Sequence, residues 1–195
     1  MRTKKGRAIP LGKREDILRT TLELVWEEGV EQVTFAKIFE RGSVGAGTFY
    51  HYFESKEQVL NTLYELSMRH LDSCLMKNYA EAASVWLQFE TLLRNLADFA
   101  RTYPQEIWFL EKHGTSPYLP EELRNYKSTA KKEAISLVKS GQAQWQIREI
   151  DPEICVDIVV GMLLGAMRSE MLRHYTLTTR QLQEVIDACW RAIKM

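Results

Sequence analysis

The sequence has few residues of the kinds that support disulfide or metal chemistry, and this shortage excludes two classes of protein. Its 195 residues include three cysteines and five prolines. Cys74, Cys155 and Cys189 are far apart, follow no CxxC spacing and have no nearby histidine that would complete a metal site. Isolated cysteines of this kind predict reduced thiols in or near a core, so we expect neither a disulfide framework nor a metal centre.

Net charge and long apolar runs are also missing. The formal net charge is zero, so the chain as a whole has no field that attracts nucleic acid. The longest apolar-rich run, residues 155–167, is interrupted by Asp157 and is too short to span a bilayer. The basic N-terminus is not followed by an apolar segment, as it would be in a signal peptide. We therefore expect a cytoplasmic protein with no membrane partner.

No arrangement of residues predicts catalysis. No serine or cysteine lies in a nucleophile-elbow motif, and neither common form of glycine-rich phosphate loop occurs. His113 lies two residues from Glu111, but side chains at that spacing do not face each other on a helix. The expected protein is not an enzyme, and no catalytic residue, cofactor or metal ligand is assigned.

Helical periodicity is what the sequence does contain, along nearly its whole length. Apolar residues recur at spacings of three and four, and no strand-like alternation of any length is seen. A hydrophobic content of 45% suits an ordinary globular chain with a buried core. The pattern predicts an all-α fold of about nine helices, with a first helix over residues 13–28 and one long helix over residues 121–144.

The stretch from Gly42 to Phe53 predicts a tight turn followed by a very short helix. Gly42, Gly45 and Gly47 end the preceding helix, for which Thr34 is the predicted N-cap. Helix, turn and short helix is the geometry that places a recognition helix in a DNA major groove. The sequence therefore predicts a helix-turn-helix unit.

Residues of the short helix that face away from the core are the candidates for DNA contact. With Gly45 as the N-cap, these candidates are Gly45, Ala46, Gly47, Thr48, Tyr50 and His51. A threonine hydroxyl can bind a phosphate or a base edge, and a histidine can donate or accept at a base edge. Val44, Phe49 and Phe53 are expected to pack beneath the helix.

Basic charge is concentrated beside this unit. Residues 1–14 contain six basic residues and no acidic one. Residues 1–12 include two glycines and a proline, which predicts a flexible arm. Basic arms next to a helix-turn-helix can enter a minor groove or neutralise phosphates.

A family resemblance becomes specific at this point. It is carried by the residues Thr34, Ile38, Val44, Gly47-Thr48-Phe49-Tyr50-His51-Tyr52-Phe53 and Ser55-Lys56-Glu57. Their order resembles the N-terminal DNA-binding region of the TetR family of bacterial transcriptional repressors, over residues 13–60. Gly45 stands where the family has a cap serine, and Phe39 where it prefers alanine. The resemblance implies phosphate contacts by Thr34, Tyr50 and Lys56.

The resemblance also implies the organisation of the remaining chain. The expected parts are a basic arm at residues 1–12, a helix-turn-helix DNA-binding domain at 13–56 and a helical effector-binding and dimerisation domain at 57–195. Members of the family tend to keep a cavity among the middle helices, and aromatic walls suit an apolar ligand. The candidates for its lining are Phe89, Phe99, Trp108, Phe109, His113 and Tyr126.

Dimerisation is expected because one short recognition helix reaches too few phosphates for tight specific binding. The resemblance implies an interface formed by the last two helices, which would pair across a two-fold axis as a four-helix bundle. Gly161 and Gly165 share a face and allow two helices to approach closely. The interface candidates are Gly161, Met162, Gly165, Val185 and Trp190. The expected function is that of a homodimeric repressor that a small apolar or aromatic effector releases from a palindromic double-stranded DNA operator.

Two other classes of function fit parts of the sequence. An all-α small-molecule carrier or enzyme would use the aromatic cavity alone. A ligand-independent DNA-binding protein would need the helix-turn-helix and no cavity. Activation of transcription fits the same residues as repression does.

Overall fold

The computed structural model describes residues 12–126, 128–172 and 175–195. Within these ranges the chain forms ten α-helices and one short 3-10 helix, with no β-strand apart from an isolated bridge between Ile147 and Lys194. The α-helices are α1 Lys13–Glu28, α2 Phe35–Gly42, α3 Ala46–Tyr52, α4 Lys56–Leu75, α5 Val85–Thr102, α6 Pro104–His113, α7 Glu121–Arg124, α8 Thr129–Ala143, α9 Pro152–Leu172 and α10 Thr179–Ile193. The all-α prediction is confirmed. Of the predicted basic arm, only Gly12 lies within the described residues.

Local signals in the sequence account for several helix ends. Helix α1 stops at Gly29, which has φ of 90°, a backbone conformation that favours glycine. Helix α5 starts where the Ser84 hydroxyl accepts a hydrogen bond of 3.3 Å from the backbone N–H of Leu87. Helix α10 starts with a capping box formed by Thr178 and Gln181.

The single long helix predicted over residues 121–144 is wrong. The chain forms α7, leaves the helical conformation and begins α8 at Thr129. The Ser128 side chain caps α8, and the buried carboxylate of Asp72 on α4 accepts from the backbone N–H groups of Thr129 and Ala130 at 3.0 and 3.2 Å. The N–H groups at the start of α8 are satisfied by a carboxylate that is distant in sequence. A new helix can therefore begin at a point where the apolar spacing of the sequence predicts one uninterrupted helix.

The first compact unit comprises residues up to Ser67 together with Trp108–Arg124. Its buried apolar residues include Ile17, Val25 and Ile38, so α1 and α2 enclose its interior. Residues 108–124, expected from the resemblance to lie in the effector-binding and dimerisation domain, cluster with this unit.

The second compact unit comprises Met68–Ile107 and Asn125–Met195. Its core is built from α5, α8, α9 and α10, with fully buried Leu163 and Ile186 among its residues. Helices α4 and α6 each begin in one unit and end in the other. In the described part of the chain, every helix is too short or too polar to cross a membrane.

Candidate nucleic-acid interface and ligand cavity

A cluster of aromatic rings holds α2 and α3 together. The ring of Phe49 is fully buried and makes edge contacts with Phe35 and Phe39, with centroid separations of 5.3 and 5.4 Å. Val44 and Phe53 are also buried, as predicted. These contacts bury large apolar surface in a very short helix, which could not hold its conformation by propensity alone.

Phe39, which departs from the family pattern, has a structural role in this cluster. It is half-buried and fills the space beside Phe35 and Phe49. An alanine at this position would remove one ring from the cluster. The Phe39 ring therefore adds apolar contacts that support α3.

The turn between the two helices places α3 through backbone hydrogen bonds. Helix α2 ends at Gly42 and is capped by Ser43, a left-handed residue with φ of 48°, and the N–H of Val44 donates to the carbonyl of Phe39 at 3.1 Å. Gly45 is the N-cap of α3, as predicted, with φ of −73°. At the start of α2, the Thr34 hydroxyl accepts a weak hydrogen bond of 3.4 Å from the N–H of Lys37. Thr34 therefore caps α2 and keeps its own hydroxyl proton for another acceptor.

The predicted DNA-facing residues of α3 are all exposed. They are Gly45, Ala46, Gly47, Thr48, Tyr50 and His51. A Cβ atom added at Gly45 or Gly47 would meet no protein atom within 4 Å, so packing inside the protein does not require glycine there. Tyr50 remains 55% exposed although its ring contacts Phe35 and Phe49. The first turn of α3 therefore presents backbone and small side chains to the outside.

The two basic residues of α2 are already paired with acids of α1. Lys37 forms an ion pair with Glu28, and Arg41 forms ion pairs with Glu27 and Glu23. The hydrogen bond from Arg41 lowers the pKa of the Glu27 carboxyl. These exposed pairs join α1 to α2 and leave less basic charge for phosphates.

Charge on the described part of the first unit is not basic. Residues 12–67 carry six basic and ten acidic side chains. Residues 1–11 add four basic side chains and no acidic one. Lys56 begins α4 directly after the helix-turn-helix, and the Arg14 guanidinium lies 5.4 Å from the centre of the Phe53 ring. Six of the ten basic side chains of residues 1–67 therefore lie in residues 1–14.

The second unit contains an apolar cavity of about 260 Å³ that is partly open to solvent. Its walls come mainly from α4, α5, α8 and α9. The lining residues include Met68, Leu71, Leu75, Phe89, Leu92, Leu96, Ala134, Leu137, Val138, Val159, Val160 and Leu164. Ser128, Lys131 and Asp157 are the polar side chains in its lining. A concave, mostly apolar site with a few polar groups is the usual form of a small-molecule binding site.

Of the six residues predicted to line a cavity, Phe89 lines this one. Phe99 packs against His70 and Tyr103 elsewhere in the second unit, and Tyr126 is half-buried just before α8. Trp108, Phe109 and His113 belong to the first unit, where Trp108 makes an edge contact with Trp26. The aromatic residues are thus spread over two cores instead of converging on one site.

His113 is a buried core histidine of the first unit. Its Nε2 lies 3.1 Å from the amide oxygen of Asn61, its ring stacks on Phe109, and Tyr64 lies beside it. Its Nδ1 is buried without a hydrogen-bond partner in the described residues. Burial lowers the pKa of this imidazole, so the neutral form is favoured.

The predicted dimer residues divide into two groups. Gly161, Met162 and Gly165 lie on the exposed side of α9, and a Cβ atom at either glycine would meet nothing within 4 Å. Ile154 and Ile158 extend this face, with 55% and 42% of their surface exposed. Val185 and Trp190 are half-buried against the core of the second unit, and the Trp190 ring contacts Trp86 and Phe89.

Sequence reasoning missed the aliphatic walls of the cavity and the position of Asp72. The wall residues follow an ordinary helical period. This period predicts which face of a helix is buried, but it does not predict whether a cavity remains next to that face. Within the described ranges, no group of three or more His, Cys, Asp or Glu side chains is placed to hold a metal ion.

Comparison with known proteins covers nearly the whole chain. Residues 17–63 match the domain family described as bacterial regulatory proteins, tetR family. Residues 64–195 match a family described as the tetracyclin repressor-like C-terminal domain. An HTH-type transcriptional regulator of Haemophilus influenzae is 22% identical over 180 residues, which cover 92% of this chain and 95% of the relative.

Solved structures show the same fold. A TetR-family transcription regulator from Marinobacter aquaeolei superposes with a TM-score of 0.83 at 15% identity, over 93% of this chain and 95% of the other. A TetR-family transcriptional regulator from Haemophilus influenzae gives a TM-score of 0.79 at 20% identity, over 94% of this chain and 97% of the other. With both of its parts matched, the chain belongs to the TetR family of bacterial regulatory proteins and is a DNA-binding transcriptional regulator.

Proposed function

We propose that the chain acts in the cytoplasm as a homodimeric repressor that binds a palindromic operator through α3. A small apolar ligand in the cavity of the second unit lowers its affinity for that operator. The observation that carries the DNA-binding part is the open first turn of α3, where Gly45 and Gly47 have no packing reason to be glycine. We assign no catalytic role to the chain.

The proposed DNA contacts fall into two kinds. Thr34, Tyr50 and Lys56 bind phosphates and fix the position of the unit on the duplex. Thr48 and His51, both exposed on α3, reach base edges. Gly45, Ala46 and Gly47 let the backbone of the first turn approach the groove closely. The basic arm adds phosphate neutralisation that the described part of the unit lacks.

The proposed dimer interface is the exposed face of α9 together with α10. Three large apolar side chains on this face, Ile154, Ile158 and Met162, are each at least 39% exposed. A second copy placed across a two-fold axis would cover them, and Gly161 and Gly165 allow the two helices to approach closely. Two recognition helices would then bind two half-sites.

The proposed ligand site is the cavity, and Phe89 is the one residue of its wall that the sequence predicts. Helix α4 supplies Lys56 at its start and Met68, Leu71 and Leu75 to the cavity lining. A ligand that binds one conformation of α4 more tightly than another shifts the population of the DNA-binding state.

Selection of genomic fragments by the purified protein tests this function. We expect enrichment of a palindromic site, with binding that weakens as salt is added. Lys56→Ala is expected to weaken binding, whereas the matched control Lys132→Ala, an exposed lysine of α8, leaves it unchanged. Absence of any enriched site, or equal effects of the two substitutions, would contradict the proposal.

A further inference from the structure

The cavity walls are aliphatic, and this restricts the ligand. Among the described residues that line it, Phe89 is the single aromatic one, and the rest of the apolar wall is leucine, isoleucine, valine, methionine, alanine and cysteine. Apart from the single ring of Phe89, such walls offer dispersion contacts but no pair of ring faces between which a planar aromatic ligand would stack. A flexible alkyl chain can adapt its conformation to such an aliphatic surface.

The groups with positive or partial positive charge in the polar part of the cavity lining already interact with carboxylates of the protein. The N-terminus of α8 is held by Asp72, which accepts hydrogen bonds from Ser128, Thr129 and Ala130. Lys131 has its Nζ atom 3.7 Å from the carboxylate of Glu153. An anionic head group would therefore have to compete with acids that are already in place.

The carboxylate of Asp157, in contrast to those of Asp72 and Glu153, is available to a ligand. It lines the cavity from α9, is exposed, and makes no hydrogen bond or ion pair with another described residue. A cationic head group at Asp157 would gain a charge-assisted contact without displacing an existing one. An anionic head group would be repelled by Asp157 and by Glu153.

We propose that the cavity binds an amphipathic cation, with an unbranched alkyl chain between α4, α5, α8 and α9 and an ammonium head group at Asp157. This inference rests on the proposed function, because it names the ligand class of the same effector site. The alkyl chain supplies most of the affinity through burial of apolar surface, and Asp157 selects the sign of the head group.

Calorimetric titration of the 195-residue protein with octylamine, decylamine and dodecylamine tests the roles of the alkyl chain and the head group together. Each amine is used below its micelle concentration. Each added methylene is expected to tighten the dissociation constant about fourfold until the cavity is full. Decylamine is expected to bind about fivefold more tightly than decanoate. Asp157→Asn should remove this preference, and the control Glu149→Gln, an exposed acid outside the lining, should keep it.

A cavity-filling variant separates binding inside the protein from adsorption on its surface. Ala134→Phe places a ring in the cavity and is expected to abolish decylamine binding while the melting temperature shows that the protein is folded. Equal or tighter binding of decanoate, affinity independent of chain length, or undiminished binding to Ala134→Phe at an unchanged melting temperature would overturn the proposal.

Operator binding by the ligand-free protein is measured on the same preparation. Intact operator binding without alkylamine binding would reject the ligand class and leave the regulator function in place. Loss of operator binding in the ligand-free protein would reject the proposed function. Tight alkylamine binding that leaves operator affinity unchanged would support the ligand class and contradict ligand-induced release.

Discussion

The Ser128 hydroxyl donates a hydrogen bond of 2.5 Å to the carboxylate of Asp72, which lies 56 residues earlier in the chain. The same carboxylate accepts from two backbone N–H groups in the first turn of α8. Asp72 therefore links α4 to α8 at the edge of the apolar cavity, to which Ser128 and the neighbouring Leu71 contribute. Both helices that this link joins are walls of the cavity.

Removal of this link is expected to destabilise the protein. Asp72→Ala leaves the N–H groups of Thr129 and Ala130, the second of them buried, without their acceptor, so we expect the free energy of unfolding to fall by about 2 kcal/mol. Urea denaturation measures the change. Glu149→Ala, which removes an exposed acid, is the control and should change stability by less than about 0.5 kcal/mol. Equal effects of the two substitutions would contradict the role of Asp72.

Alanine substitutions distinguish glycines that are required by packing inside the protein from glycines that allow close approach to DNA. Gly47→Ala adds a methyl group in open space on α3, so we expect unchanged or slightly higher stability, by up to about 1 kcal/mol, together with weaker operator binding. Gly141→Ala would place its Cβ 2.5 Å from the Ile147 side chain and is expected to lower stability. Thermal melting and operator titration of both variants check this contrast. Unchanged operator affinity in Gly47→Ala would argue against close approach of α3 to DNA.

The basic arm is expected to supply much of the attraction to phosphates. Deletion of residues 2–11 removes four basic side chains, so the slope of log affinity against log salt should become shallower by up to about 3.6 units. Titrations of the operator at several salt concentrations give this slope. Lys37→Ala is the comparison, because Lys37 is already paired with Glu28 and should change the slope by less than about 1 unit. A deletion variant with the wild-type slope would show that the arm does not contact DNA.

Stability is expected to fall in mild acid because of His113. Burial lowers its pKa below the ordinary imidazole value of 6.5 in the folded protein. Below that value the unfolded chain binds a proton that the folded protein does not, so stability is lost as the pH falls from 6.5 toward the folded-state pKa. The contribution has a slope of at most about 1.4 kcal/mol per pH unit.

His113→Gln isolates this contribution because a glutamine can still bond to Asn61 and does not titrate. Its free energy of unfolding should depend less steeply on pH below 6.5 than that of the wild type. His51→Gln removes an exposed histidine and serves as the control. Parallel pH profiles for wild type and His113→Gln would contradict this account of the buried imidazole.

Features that depend on neighbouring residues were predictable from sequence. The bounds of α1 and the capping of α3 by Gly45 follow from apolar period, glycine and cap residues that lie next to each other in the chain. The break between α7 and α8 depends on Asp72, far away in sequence, and no local pattern indicated it. Exposure on α3 was predictable because Val44, Phe49 and Phe53 define the buried side.

The apolar cavity was the least predictable feature. Aromatic residues such as Phe99 and Trp108 at helical spacing were predicted to line it, but the structure packs them elsewhere. The walls are leucines and valines with the same period as any core helix. Whether facing side chains fill the space between helices depends on helix separation, which sequence periodicity does not encode.

The most direct measurement is a footprint of the purified protein on its selected operator, made together with Ile158→Glu. We expect two protected half-sites related by two-fold symmetry, with centres about one helical turn apart or a multiple of that distance. Ile158→Glu, which places a charge on the exposed α9 face, should sediment as a folded monomer and lose the footprint at the same concentration. A single protected site without symmetry, or a monomeric Ile158→Glu that protects the operator as the wild type does, would contradict the homodimeric repressor.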